Sequence, residues 1–366
     1  MRLTTLREKI LNASLVAEKI VGKKESLPIL SCILLDADKD LLLKATNLES
    51  AIEINLTCEI EERGVVAVPA QIFTQTLRLI RGEKVVLKTE DKNLIIESSG
   101  SKTLIKAIQH DEFPLLKSAA QEKGGVVISR ESLLRGVKAV IYSTSTSMIR
   151  PELGSIYISV NNPDITFAAT DSFRLAERSL RSAASSKAGD ILIPLKHGVE
   201  LIHILERSQG EEVTIITDDS QLTVAIEKVK FTSRIVAGTF PNYKEIMPKK
   251  FTAEATVLKN DFAEALHKAR IFSGNEQSLG LHLYPKRKIF TVTAQSPDVG
   301  EMSDSIDAAL EGEDTDINFH VGYLSDCLPS IESDSLILGF SGAGKPLVIR
   351  GVTDPGFTYL AMPLNR

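Results

Sequence analysis

One pattern recurs three times along this chain at intervals of 125 and 126 residues, and it limits the possible folds more than any local motif does. Val66-Ala67-Val68-Pro69-Ala70 leads into Gln71 to Ile80, whose apolar residues at Ile72, Phe73, Leu77 and Ile80 have helical spacing. Ile191-Leu192-Ile193-Pro194-Leu195 leads into Val199, Leu201, Ile202 and Leu205. Ile317-Asn318-Phe319-His320-Val321 leads into Tyr323, Leu324, Cys327, Leu328 and Ile331. The intervals are measured from Pro69 to Pro194 to His320. Solenoid repeats are only about 20–50 residues long, so a period of this size is a duplicated domain.

Each copy carries the same further elements. A strand pair follows the helix: Lys84 to Lys88 with Leu94 to Glu97, Val213 to Ile216 with Leu222 to Ile226, and Leu336 to Phe340 with Leu347 to Ile349. Each copy opens with a helix of its own, over Leu6 to Ile20, Arg130 to Tyr142 and Lys259 to Phe272. Phe113-Pro114 and Phe240-Pro241 close the first two copies. The fold class is therefore α+β, in three tandem similar domains near 1–120, 124–248 and 250–366. The polar, Gly- and Pro-marked stretches Gln121 to Gly125 and Pro248 to Lys250 suit the boundaries.

A chain of 366 residues with 43% hydrophobic and 25% charged residues has the make-up of a soluble globular protein. No apolar run approaches the roughly 18 residues of a membrane span, and the charged start, Met1 to Glu8, does not read as a signal peptide. Cys32, Cys58 and Cys327 are odd in number and widely spaced, which fits a reducing cytoplasm and argues against a disulfide framework or a structural zinc.

Catalytic motifs are weak. Gly339-Phe340-Ser341-Gly342-Ala343-Gly344-Lys345 matches a phosphate-binding loop up to its lysine, but Pro346 replaces the magnesium-binding hydroxyl. Leu347-Val348-Ile349 then continues as a strand where a phosphate loop must open a helix, so a hairpin is expected. His197 and His203 lack the spacing of a zinc motif, and Asp36 to Asp40 lacks the glycine and distal glutamate of a calcium loop. No cofactor, metal site or catalytic residue is expected.

The stretch Ala168-Ala169-Thr170-Asp171-Ser172-Phe173-Arg174-Leu175-Ala176 stands apart. A strand ends in a turn at Thr170-Asp171-Ser172, and an arginine between two apolar residues follows. Two readings fit: ordinary alternation at the start of the next strand, or a loop rim offering apolar contacts and one charge to a partner. Charge leaves a similar choice. Lys+Arg against Asp+Glu stands at 17 to 18 in residues 1–122, 16 to 14 in 123–249 and 10 to 16 in 250–366. A net −5 weighs against nucleic acid, yet a phosphate backbone responds to the local field, and basic residues recur on the candidate helices.

Leu27-Pro28-Ile29-Leu30 with Ala45-Thr46-Asn47-Leu48-Glu49, the Ala169-Thr170-Asp171-x-x-Arg174-Leu175-Ala176 stretch, Phe240-Pro241-Asn242-Tyr243 and the closing Met362-Pro363-Leu364 together resemble the beta subunits of bacterial DNA polymerase III, the sliding clamp family. The likeness runs from end to end, in order. It implies a non-catalytic processivity factor: a head-to-tail homodimeric ring around double-stranded DNA, helices lining the hole and sheets outside. Such a closed heterologous contact is a recognised ring geometry. The implied partners are DNA of any sequence, the polymerase III alpha subunit, the clamp loader and other clamp-binding replication and repair proteins, in the cytoplasm and with no membrane.

The resemblance also assigns residues. Leu153, Thr170, Ser172, Phe173, Arg174, Leu175, Pro241, Ile246, Tyr323, Pro346, Leu360, Met362, Pro363 and Leu364 would form a pocket for a partner peptide with an apolar anchor. Lys24, Arg78, Arg150 and Lys196 would face DNA and touch phosphates without reading bases. The strand from Lys102 to Ile108, including Ile105, would meet Ile271 and Phe272 of the second copy. The chain departs from the family pattern at Ser172-Phe173, where glycine and histidine are common, at Glu245, at His320 and at the ending Asn365-Arg366. These departures bear on pocket affinity and partner preference. Two rival classes are a nucleotide enzyme using Lys345 and a structural homo-oligomer that binds no DNA.

Overall fold

Three helix starts in this chain are fastened by the same backbone bond. The amides of Arg7, Arg130 and Lys259 donate to the carbonyls of Glu83, Glu211 and Asp334, each at 2.8 Å. Their side chains repeat the arrangement. Arg7 Nε and Arg130 Nε donate to the Gly82 and Gly210 carbonyls at 3.1 and 2.8 Å, and a terminal nitrogen of each reaches Leu77 or Leu205. Lys259 Nζ donates to the Ile331 carbonyl at 2.8 Å. A cation thus sits on the carbonyl-rich end of the second helical segment in each repeat, where the helix dipole favours it.

The computed structural model describes residues 1–22, 27–111, 113–114, 125–147, 149–161, 164–181 and 188–364. The α-helices among them are α1 (Arg7–Ile20), α2 (Ala70–Leu79), α3 (Arg130–Val140), α4 (Leu195–Arg207), α5 (Lys259–Phe272) and α6 (Val321–Asp326). The helical spacing from Tyr323 to Ile331 is only partly realised. Pro329 cannot supply an amide to the next turn, so α6 stops at Asp326 and a 3-10 turn, Leu328–Ser330, follows.

The chain forms two compact units, and residues 124–248 contribute to both. The first contains residues 1–134, 183–188 and 196–237. One of its sheets runs, in spatial order, Glu59–Glu62, Arg2–Leu6, Lys84–Glu90, Asn93–Ser98 and Ser101–Ile105. Its other sheet has eight antiparallel strands: Val126–Ser129, Glu212–Thr217, Gln221–Ile226, Val229–Arg234, Ser50–Leu56, Leu41–Thr46, Cys32–Ala37 and Gly64–Pro69. Sequence-distant segments join where Phe231 pairs with Ile52. α1 packs on α2 and on strands Leu41–Thr46 and Ser50–Leu56. Ile10, Ala13, Val16 and Ala17 of α1 are buried there, as are Leu41, Leu43 and Ile52. Burial of each such Leu or Ile contributes about 1.5–3 kcal/mol.

The second unit contains residues 135–182, 189–195 and 238–366. Its larger sheet runs Ala188–Pro194, Ser155–Asn161, Asp164–Thr170, Arg174–Arg181, Asp354–Ala361, Leu347–Gly351, Ser335–Phe340, Ala253–Leu258 and Ala308–Gly312. Its smaller sheet runs Gly300–Ser305, Ile289–Ser296, Ser278–Tyr284 and Thr315–His320. α3 crosses the larger sheet so closely that a Cβ on Gly136 would lie 2.2 Å from the Phe167 ring, which requires glycine there. Residues 341–346 form the turn of the expected hairpin, and Leu347–Gly351 continues as a strand.

Candidate partner-binding site

All fourteen residues assigned to the partner pocket lie in the second unit, and the turn after strand Asp164–Thr170 organises them. Asp171 Oδ1 accepts from the amides of Phe173 and Arg174, both at 2.9 Å, as short polar side chains do in tight turns. Thr170 Oγ1 donates to the Arg174 carbonyl at 2.7 Å and accepts from the Ser172 amide at 3.2 Å. Ser172 takes a φ of 79°, a left-handed conformation that glycine adopts more readily. The turn leaves Phe173 61% exposed and buries Leu175.

Arg174 is the centre of the polar part. Its Nε donates to Asp171 Oδ2 at 3.0 Å and a terminal nitrogen to Asp326 Oδ2 at 2.5 Å. The guanidinium lies 4.6 Å from the Tyr323 ring centre and 6.0 Å from that of Tyr142. Tyr323 in turn stacks on His320, with centroids 4.2 Å apart, and its carbonyl accepts from the Tyr359 hydroxyl at 2.8 Å. Burial alone would lower the Arg174 pKa, but the carboxylates of Asp326 and Asp171 outweigh it and the net shift is upward. Burial pushes the Tyr142, Tyr359 and Cys327 pKa values up, so these groups stay neutral around the cation. Burial and then the nearby Arg174 push His320 down.

Strand pairing brings in the remaining members. Leu175 pairs with Leu360 and Arg174 with Ala361, and Ala361 pairs on its other side with Leu347, directly after Pro346. The Met362 amide donates to the Phe173 carbonyl at 2.8 Å, and the Leu364 amide to Asn318 at 2.9 Å, with half-buried Pro363 between them. Thr170, Ser172, Phe173, Arg174, Leu175, Tyr323, Pro346, Leu360 and Met362 therefore share one neighbourhood. Leu153, Pro241 and Ile246 sit on other segments. Leu153 is buried, its amide donating to Arg150, while Ile246 is 60% exposed and donates to Tyr243. The Tyr243 hydroxyl donates to Glu177 Oε2, which ties the Pro241–Ile246 segment to strand Arg174–Arg181.

Sequence reasoning missed Asp326, Tyr142 and Tyr359. Nothing local marks Asp326 as the partner of an arginine 152 residues away. It also missed a buried pair farther along the Arg174–Arg181 strand, in which Arg178 NH1 and NH2 donate to Asp354 Oδ1 and Oδ2 at 2.6 and 3.0 Å.

The residues assigned to DNA and to the second copy occupy separate places. Arg78 is exposed on the last turn of α2. Arg150 is largely exposed and its Nε donates to Glu152 at 2.9 Å. Lys196 is exposed on α4, with Nζ 4.0 Å from Glu200 Oε1. Lys24 lies outside the described residues. Ile105 is 3% exposed, so its side chain belongs to the core of the first unit, while its neighbour Leu104 points outward. Ile271 is 65% exposed at the end of α5, and Phe272 is half-buried. Among the described residues, no group of three or more His, Cys, Asp or Glu side chains is placed to hold a metal. No described helix is long and apolar enough to cross a membrane.

Three family models match in succession: the DNA polymerase III beta subunit N-terminal domain over residues 1–117, its central domain over 127–242 and its C-terminal domain over 244–365. The chain is 25% identical to the beta sliding clamp of Staphylococcus epidermidis, covering 100% of this chain and 99% of that one. To the beta sliding clamp of Staphylococcus aureus it is also 25% identical, over 95% and 94% of the two chains. Solved structures share the fold. The DNA polymerase III beta subunit of Thermotoga maritima superposes with a TM-score of 0.94 at 23% identity, covering 100% and 99% of the chains. The Bacillus subtilis sliding clamp gives 0.93 at 24% identity with the same coverage. A Pseudomonas aeruginosa sliding clamp bound to griselimycin gives 0.93 at 22% identity, covering both chains completely. With three consecutive domain matches spanning nearly its whole length, the chain belongs to the DNA polymerase III beta subunit family, the sliding clamps.

Proposed function

We propose that two copies of this chain join head to tail into a closed ring around duplex DNA, each copy built of three modules near 1–120, 124–248 and 250–366. The sliding-clamp function itself follows from the family: the protein is a processivity factor that works on DNA with a polymerase, and it catalyses no reaction. The observation that carries this reading is the succession, in order, of three domain matches over residues 1–117, 127–242 and 244–365.

In this reading Arg78, Arg150, Lys196 and Lys24 face the phosphates, and Leu153, Pro241, Ile246 and the Arg174 neighbourhood receive a peptide from the polymerase alpha subunit or the clamp loader. Phe173, Ile246 and Met362 supply exposed apolar surface for its anchor. The subunit contact uses edge strand Ser101–Ile105, which has a sheet neighbour on one side only, together with Ile271 and Phe272. Leu104 and Ile271 supply its exposed apolar surface. A cytoplasmic location fits the same role.

Sedimentation equilibrium tests the ring. The wild-type chain of 40.0 kDa should run at twice that mass and Ile271→Asp at the single mass. A wild-type protein that stays single at micromolar concentration would refute a closed dimer.

A further inference from the structure

We propose that an aromatic cavity beside Pro241, with the carboxylates of Asp190 and Glu177 against its rings, receives one basic side chain, arginine in preference to lysine, from the partner whose apolar anchor fills the neighbouring pocket. This inference rests on the partner-pocket reading above. The cavity has a volume of ≈ 250 Å³, and its walls include Tyr157, Asp190, Phe240, Pro241, Tyr243 and Lys244. Pro241 is also one of the residues assigned to the partner pocket, and both sets of residues belong to the same unit.

The walls suit a planar cation. Tyr157 and Phe240 stack with centroids 4.9 Å apart, and Tyr243 meets Phe240 edge-on at 5.8 Å. Aromatic faces attract a guanidinium electrostatically, and arginine sheds its water more readily than lysine while stacking flat. Two carboxylates border these rings. Glu177 accepts the Tyr243 hydroxyl, and Asp190 lies beside the Tyr157 hydroxyl. Among the described residues neither carboxylate forms an ion pair, and Lys244, exposed on the same wall, reaches neither. After burial, the hydrogen bond to Glu177 is the largest influence raising the Tyr243 pKa, and Asp190 helps to raise that of Tyr157. A basic side chain would supply the missing counter-charge and cover ring surface in one step.

The test uses the full-length protein and a fluorescent peptide from the clamp-contacting segment of the polymerase alpha subunit. One arginine is placed in turn at each of several positions beyond either end of the apolar anchor, with norleucine as the control at each. Anisotropy titration should find a position at which arginine binds about fivefold tighter than norleucine, the scale of one cation–π contact. That gain should vanish in Asp190→Asn, an exposed site whose change leaves the fold intact by circular dichroism, and shrink in high salt. No gain at any position, or a gain that survives Asp190→Asn, overturns the inference. If the unextended peptide fails to bind, the pocket reading fails, and the cavity is judged alone by titrating N-acetyl-arginine amide against the tyrosine ring resonances. Shifts of Tyr157 and Tyr243 that are lost in Asp190→Asn support the site, and unmoved resonances overturn it.

Discussion

Asp354→Ala should be among the most damaging single changes in the second unit. Arg178 is 1% exposed, and Asp354 meets it through two hydrogen bonds at 2.6 and 3.0 Å. Asp354 Oδ2 also accepts the Glu332 amide at 2.9 Å, and the guanidinium lies over Phe357 at 4.9 Å. Removing the carboxylate strands a buried cation, at a cost of about 3–5 kcal/mol, and frees a peptide amide for about 1 kcal/mol more. Replacing both partners by apolar residues, Arg178→Met with Asp354→Leu, removes the stranded charge and should cost about 1–2 kcal/mol or less. Urea unfolding followed by circular dichroism reads the difference. With a slope of about 3 kcal/mol per molar, Asp354→Ala should lower the midpoint by about 1–2 M and the double variant by well under half as much. A shift below about 0.3 M for Asp354→Ala, or a double variant as unstable as the single, would refute the reasoning. The pH dependence has a definite sign. Burial raises the Asp354 pKa, but Arg178 and the Glu332 amide outweigh it and the net shift is downward from 3.8. A depressed carboxylate contributes stability that is present above its ordinary value and lost as pH falls through the folded one, so wild type should lose this advantage only below pH 3.8.

Two further expectations concern separate parts of the chain. Glu200 is buried on α4, accepts from Ser50 Oγ at 2.7 Å, and leaves Oε1 without a hydrogen-bond partner. Burial raises its pKa from 4.5 to about 6, so the folded state holds the proton longer than the unfolded state does and stability falls as pH rises between those values. The loss should total about 2 kcal/mol in wild type and be absent in Glu200→Gln, measured by urea melts at pH 4.5 and 7. At the partner site, Phe173→Ala and Met362→Ala should each weaken peptide binding by about 1–2 kcal/mol, or roughly 5- to 30-fold, in an anisotropy titration with thermal stability unchanged.

Local chemistry made much of this fold legible in advance. The helix over Lys259 to Phe272 has the limits that its apolar spacing indicates, and Thr170-Asp171-Ser172 turns the chain because short polar side chains satisfy its amides. The two readings of the adjoining stretch each describe one residue: alternation buries Leu175, and the exposed rim presents Phe173. Arg174 follows neither, since it is held between Asp171 and Asp326 instead of in water. Pairings such as Arg174 with Asp326, or Phe231 with Ile52, join segments far apart in the chain. Periodicity carries no record of which strand edge meets which. For that reason the division of residues 124–248 between two units was also hidden, although the triple repeat was plain.

The most direct test of the central claim is retention on nicked circular DNA after loading by a matched clamp loader with ATP, measured again once the circle is cut. A closed ring that holds its DNA by encirclement should stay on the circles through gel filtration and be lost on linearisation. Loss from intact circles with a loader proven on another clamp, or equal retention on circular and linear DNA, would contradict it.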